Sequence, residues 1–239
     1  MMRTIRISFF QMLTAIKGDF MLFAACLAPM AAGFFFKLGI PMIESLLCRW
    51  LQKSVCLAPY YSLIDLLFVL LAPVMFCFVT AMVILEERDD HITNYLFVTT
   101  LGIRGYLVSR IGLPALAGFG FTAVLLPFFS LTARSLPMTL LLAAGGALQG
   151  IIIALLIVAI SANKLEGMAV TKLSTLMLLG AAIPYFIHSE AGYLLGFLPA
   201  FWMGKAVSET APVFMVPALL TAFIWITLLQ KIFVRKITS

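Results

Sequence analysis

Six stretches of this chain carry no Asp, Glu, Lys or Arg: residues 20–36, 66–85, 111–133, 135–163, 173–187 and 211–230. About 20 apolar residues in a helix cross the hydrocarbon core of a bilayer. Within that core each backbone N–H and C=O must find its partner inside the segment, so an isolated apolar run has to be helical. Placing six such runs in 239 residues leaves only short connections. The expected fold is all-α and polytopic, with six transmembrane helices; a different reading of residues 191–204 would give five or seven. Pro137 suits the first turn of the fourth helix. The fifth run is short and holds Pro184, so its helix should kink or stop early.

Composition narrows the function classes. Hydrophobic residues make up 63% of the chain and charged residues 11%, against about 45–50% and 25% in soluble domains. This excludes a cytosolic enzyme, a disordered regulator and a small secreted disulfide scaffold. The formal charge of +6 comes without a long basic run or an aromatic-interleaved basic face, so no nucleic-acid partner is expected.

The cations orient the spans. One side collects Arg3, Arg6, Lys17, Arg88, Arg104, Arg110, Lys164, Lys172, Lys231, Arg235 and Lys236; the other has Lys37, Arg49, Lys53, Arg134 and Lys205. Basic residues accumulate on the cytoplasmic side of membrane proteins. Both termini are therefore expected in the cytoplasm of a cell (plasma) membrane, with residues 37–60 an external loop. Residues 1–19 lack the apolar run and cleavage site of a signal peptide. Instead Ile5, Phe9, Leu13, Ile16 and Phe20 recur at helical spacing among Arg3, Arg6, Gln11 and Lys17. That pattern predicts an interfacial amphipathic helix resting on membrane lipid; a frayed basic leader is the alternative.

Cys26 and Cys77 lie in apolar runs and read as core residues. Cys48 and Cys56 share one connection. If it is helical, eight residues at about 1.5 Å rise set them too far apart for a disulfide. Glycines at 112, 118 and 120 and at 145, 146 and 150 offer small surfaces for close helix packing.

The chemistry missing from the spans is informative. Asp65 stands at the edge of the second and His188 ends the fifth; between the ends lie hydroxyls and amides such as Thr80, Thr122, Ser130, Gln149, Ser161, Ser174, Thr175, Thr221 and Thr227. Ion-coupled carriers place ionisable groups at membrane depth. No G-x-x-x-x-G-K-[ST] phosphate loop occurs, and no Cys/His spacing suggests a metal. The chain is expected to have no catalytic residues and no cofactor of its own.

Four of the ten acidic residues crowd into Glu86, Glu87, Asp89 and Asp90 around Arg88, directly after the second run. An apolar-rich stretch follows, broken by Gly102 and Gly105. Such a segment suits a short helix flat on the inner face, presenting an acidic end to a soluble partner; a solvated loop ending a helix is the alternative.

Glu87-Arg88-Asp89, Thr93, Thr99-Thr100, Tyr106-Leu107 and Arg110 resemble the first cytoplasmic loop of the type-2 ATP-binding-cassette permeases, the ABC-2 exporter membrane subunits. Two positions depart from that pattern: Ile92 stands where the family has Gly before the Thr, and Leu101 where it has Pro. Before the last run, Phe197-Leu198-Pro199-Ala200-Phe201-Trp202 looks like that family's outer re-entrant segment. The local matches cover about 40 residues, and short outer loops resemble the drug- and peptide-exporter branch.

The resemblance implies a single permease domain over residues 1–239, with an interfacial helix at 1–19, a cytoplasmic coupling segment at 86–106 and an outer re-entrant segment at 191–204. It implies coupling through Glu86, Glu87, Arg88, Asp89, Asp90 and Thr93, Glu87 and Arg88 foremost. It implies an outer gate of Phe197, Pro199, Phe201 and Trp202, for which an aromatic interface anchor is the plainer reading. The implied partners are an ATPase subunit carrying ATP and magnesium, and a second permease, identical or paralogous. The cargo would be an amphipathic drug, lipid or peptide. An ion-coupled carrier and a non-transporting immunity or assembly protein are the rival readings.

Overall fold

The computed structural model describes residues 2–90, 92, 102–187 and 190–238. Among them all regular structure is helical, and six helices are long and apolar enough to cross a membrane: Phe20–Leu51, Ala58–Asp89, Gly105–Phe129, Leu136–Ile160, Lys164–Phe186 and Pro212–Lys236. The protein is an all-α, multi-pass membrane protein. Both termini lie at one end of the bundle, called here the termini face.

Helix α1 (Met2–Gly18) packs beneath the bundle. Ser8, Met12 and Ile16 are buried, and Ile5, Phe9 and Leu13 flank them on the same face. Phe20 is instead exposed and belongs to α2 (Phe20–Phe34), whose N-terminus is capped by the Asp19 carboxylate accepting from the N–H groups of Met21 and Leu22.

The first span does not stop at Lys37. A π-turn at Phe35–Gly39 leads into α3 (Ile40–Leu51), which ends at Gln52 in the left-handed conformation common after a helix C-terminus. The expected 37–60 loop is thus helical for most of its length. Charge counting ends a run at the first lysine, but a helix continues while the long side chain reaches a polar partner, here the Ser130 carbonyl at 3.3 Å. Cys48 therefore sits in α3, and both it and Cys56 are free thiols.

The second span, α4 (Tyr61–Asp89), forms the centre together with α7 (Leu136–Ile160). Their contact is made by missing side chains. A Cβ at Gly146 would lie 2.6 Å from the Val69 carbonyl oxygen, and one at Gly150 would lie 2.8 Å from that of Pro73. Proline at 73 donates no hydrogen bond to that Val69 carbonyl, and the glycines let α7 press against the irregular turn. Around this pair lie α5 (Gly102–Leu107), the π-turn Val108–Gly112 and α6 (Leu113–Phe129).

The fifth span is irregular, as Pro184 suggested. Helix α8 (Lys164–Ser174) gives way to a 3₁₀ stretch at Thr175–Ala182 and a single turn, α9 (Ile183–Phe186). Glu190–Leu195 then forms a 3₁₀ helix, followed by α10 (Pro199–Ser208). Helix α10 lies so close to the fifth span that a Cβ at Gly204 would be 2.2 Å from the Ala181 carbonyl oxygen. The last span is α11 (Met215–Thr238). Apolar side chains form one cluster toward the termini face, around Met82, Ile84, Ile153 and Phe233, and another toward the opposite face, around Leu66, Leu70, Met203 and Ala218.

Candidate functional site

The acidic cluster at the end of α4 divides in two. Glu86, Asp89 and Asp90 are exposed, whereas Glu87 and Arg88 are half-buried. A helix places successive residues about 100° apart, so a contiguous cluster cannot all face one way. Thr93 and the Thr99–Thr100 pair lie outside the described residues.

Glu87 faces the third span. Its Oε2 accepts from Arg110 Nε at 3.1 Å and from the Tyr106 hydroxyl at 2.7 Å, while Oε1 pairs with Arg110 Nη2. Arg110 is 2% exposed and also donates through Nη1 to the Ser8 carbonyl in α1. Its guanidinium stands 5.7 Å from the centre of the Tyr106 ring. One buried charge thereby fastens three elements: α1, the end of α4 and the start of the third span. Two-pronged guanidinium–carboxylate pairing fixes orientation as well as charge.

Arg88 turns to the C-terminal end of α7, donating to the carbonyls of Val158 at 3.3 Å, Ser161 at 2.8 Å and Ala162 at 3.1 Å. From the last span Lys236 reaches the same end, 3.0 Å from the carbonyls of Ala159 and Ile160 and 2.8 Å from that of Ser161. The last carbonyls of a helix lack intrahelical donors and carry the negative end of its dipole. Two cations satisfy them and tie the second, fourth and sixth spans together.

The exposed acids gather around Lys164, whose ammonium is 2.9 Å from Glu86 and 3.2 Å from Asp19 and whose backbone N–H donates to Asp89 at 3.1 Å. Asn163 caps α8 by accepting from the Glu166 N–H, and Glu166 accepts in return from Ala162. This near capping box holds Lys164 in place. The Asp90 carboxylate has no ion-pair partner among the described residues. The Asp19 carboxyl is held below its ordinary range, chiefly by the Leu22 N–H; burial opposes this, and Lys164 and the Met21 N–H add to the lowering.

The opposite face has its own polar knot, built on Asp65 at the edge of the second span and Arg134 before the fourth. The Asp65 carboxylate is buried and accepts from the N–H groups of Leu131 at 2.8 Å and Thr132 at 3.0 Å, and from the Thr132 hydroxyl. Arg134 lies 3.5 Å from it and donates to the Ser62 carbonyl at 3.0 Å, while the Ser62 hydroxyl is 2.9 Å from that of Tyr185. Nothing in the sequence links positions 65 and 134 except opposite charge at the same end of neighbouring spans.

Of the four aromatic-segment residues, Phe201 and Pro199 are buried, Trp202 is half-buried and Phe197 is 54% exposed. Trp202 donates to the Gly196 carbonyl at 2.6 Å, and Trp225 to that of Phe197 at 2.8 Å. Lys205 lies over the rings of Tyr193 and Phe214, at 4.0 Å and 4.8 Å. The structure therefore joins Phe201 and Trp202 in one aromatic group with Tyr193 and leaves Phe197 at its edge.

Comparison with known proteins adds a family. The profile of the Rv2686c-like family, described as fluoroquinolones export permease protein Rv2686c-like, matches residues 12–234. Two proteins of Mycobacterium tuberculosis are similar: the fluoroquinolones export permease protein Rv2686c of strain H37Rv and its counterpart MT2760 of strain CDC 1551. Each is 26% identical over 175 residues, covering 70% of this chain and 66% of the relative, just under two thirds. No solved structure matches. The chain belongs to the Rv2686c-like family of fluoroquinolone export permeases.

Proposed function

We propose that this protein is the membrane-spanning permease subunit of an ATP-driven exporter, with the termini face in the cytoplasm and the knot at Asp65 and Arg134 outside the cell. A separate ATPase subunit, carrying ATP and magnesium, docks on the termini face. A second permease, identical or paralogous, completes the path. The cargo is an amphipathic drug, lipid or peptide, and the named activity of the relatives makes a fluoroquinolone the first to test.

The observation that carries this reading is the division of labour in the acidic cluster of an export-permease family member. Glu86, Asp89 and Asp90 are exposed at the edge of the termini face, where a cationic surface can reach them. One residue along the same helix, Glu87 is locked to Arg110. A push received by the exposed acids would be delivered to α1 and to the third span through that pair. In this reading Glu87 and Arg88 position the docking edge rather than touch the ATPase.

Gentle-detergent purification of the tagged chain from its own cells, with identification of each co-purifying protein, tests this reading. An ATPase in stoichiometric amount is the expected outcome. Cargo movement by the chain purified free of any ATPase would contradict it.

A further inference from the structure

At the end of the bundle opposite the termini a cavity of about 470 Å³ opens between the second span, the 130–135 connection, the start of α7 and the end of α10. Its walls are largely apolar, with Met138, Leu141, Val207 and Pro212 among them, and the hydroxyls of Ser135, Ser208 and Thr210 stand around it. That size and lining are those of sites for small organic ligands, in which a few polar groups set orientation.

The charged member of the wall is Arg134, whose side chain is 10% exposed. Two of its three nitrogens are committed: Nε donates to the Thr132 hydroxyl at 3.1 Å and Nη2 to the Ser62 carbonyl at 3.0 Å. Nη1 has no partner among the described residues. A guanidinium can donate five hydrogen bonds, and Nη1 is not among the buried polar atoms left without a partner, so it stays within reach of solvent and of an incoming acceptor. Asp65 is not that acceptor, because it is satisfied by two backbone N–H groups and a hydroxyl and stands 3.5 Å from Nη2. Burial also depresses the Arg134 pKa, with Asp65 pulling it back. A second, smaller cavity of about 270 Å³, lined by Leu126, Pro127 and Thr139, also has Arg134 in its wall.

We propose that this cavity is a binding site for a monocarboxylate amphiphile, its carboxylate accepting from Arg134 Nη1 and its apolar body lying along Met138, Leu141 and Val207. A single negative charge matches one guanidinium already shared with Asp65, whereas a dianion would meet that carboxylate. The site deepens the exporter reading and rests on it for its meaning: it is where a cargo molecule pauses on the external side before release.

Equilibrium binding decides the matter. The probe is 11-(dansylamino)undecanoic acid, compared with its methyl ester, added to the full chain in phosphatidylcholine nanodiscs with empty nanodiscs subtracted. The acid is expected to bind about tenfold more tightly than the ester, as one charge-assisted hydrogen bond allows. Arg134→Gln should abolish that preference, and Arg134→Lys should retain part of it. Should Arg134→Gln fail to fold, Ser208→Trp gives the answer. It plugs the exposed rim without touching the Arg134 bonds, and acid binding should be lost. Equal binding of acid and ester to the unaltered protein would overturn the proposal. So would unchanged acid binding in Ser208→Trp, or loss of acid binding in phosphatidylglycerol nanodiscs, which would assign the site to a lipid headgroup. The measurement needs neither ATP nor an ATPase, so its failure is distinguishable from failure of the exporter reading.

Discussion

Glu87 and Arg110, 23 positions apart on neighbouring spans, hold each other in a two-pronged ion pair, with Arg110 Nε 3.1 Å from Glu87 Oε2 and their side chains 13% and 2% exposed. The pair is structural as well as electrostatic, since the same guanidinium also holds the Ser8 carbonyl of α1. Removing one partner of a buried pair leaves the other charge uncompensated, at a cost of about 3 kcal/mol or more. Arg110→Gln should therefore lower the thermal unfolding midpoint in detergent markedly. Glu87→Gln keeps an acceptor for Tyr106 but leaves the more deeply buried Arg110 guanidinium uncompensated, and should lower the midpoint as well. Equal and negligible shifts in both would show that the pair holds nothing together.

The exposed acids should behave in the opposite way. Reversing Glu86, Asp89 and Asp90 together to Lys removes two contacts with Lys164, the Glu86 ion pair and the bond from its backbone N–H to Asp89, but no buried partner, and exposed pairs contribute about 0–1 kcal/mol. The unfolding midpoint should stay within a few degrees while the ATPase no longer co-purifies. Glu209→Lys is the control, because among the described residues Glu209 pairs only with Lys205, one turn before it, at 3.6 Å on the opposite face. Retention of the ATPase by the triple variant would remove the acidic edge from the docking account.

The contact of α10 with the fifth span is sterically tight. A side chain at Gly204 would strike the Ala181 backbone carbonyl, 2.2 Å from its Cβ, and backbone cannot rotate away. Gly204→Val should cost about 1–3 kcal/mol by overpacking and speed hydrogen exchange across α10. Gly120→Val, where an added Cβ meets nothing within 4 Å, should do neither.

Asp19 gives a pH dependence of known sign. Its folded-state pKa lies below the ordinary value, chiefly through the Leu22 N–H. The ionised cap therefore adds stability above the unfolded pKa of ~3.9, and the contribution fades as pH falls below that value toward the folded one. Thermal midpoints measured from pH 6 down to 3 should fall less steeply in Asp19→Asn than in the unaltered chain. An identical slope would mean that the cap makes no contribution through its charge.

Span number was legible because bilayer thickness imposes it: six charge-free runs became six helices. Helix ends were not, since a run ends at Lys37 while the helix ends at Leu51. The amphipathic reading of α1 found the face of Ile5, Phe9, Leu13 and Ile16, but included Phe20, which lies beyond Asp19 in a separate helix. The acidic cluster was visible as composition only. Which acids face inward depends on where Arg110 arrives from a neighbouring span, and pairings at a distance such as Glu87 with Arg110 or Asp65 with Arg134 leave no local pattern. The 3₁₀ stretch at Thr175–Ala182, which packs against α10, likewise leaves no local pattern.

In the proposed function this chain moves cargo only while a partner hydrolyses ATP. Proteoliposomes containing the chain with its co-purified ATPase, loaded by ATP on the termini side, can be followed through the intrinsic fluorescence of a fluoroquinolone. Accumulation on the opposite side should require ATP, magnesium and the ATPase together, and should be unaffected by collapse of the proton gradient. Accumulation that persists without the ATPase and follows an imposed ion gradient would contradict that function.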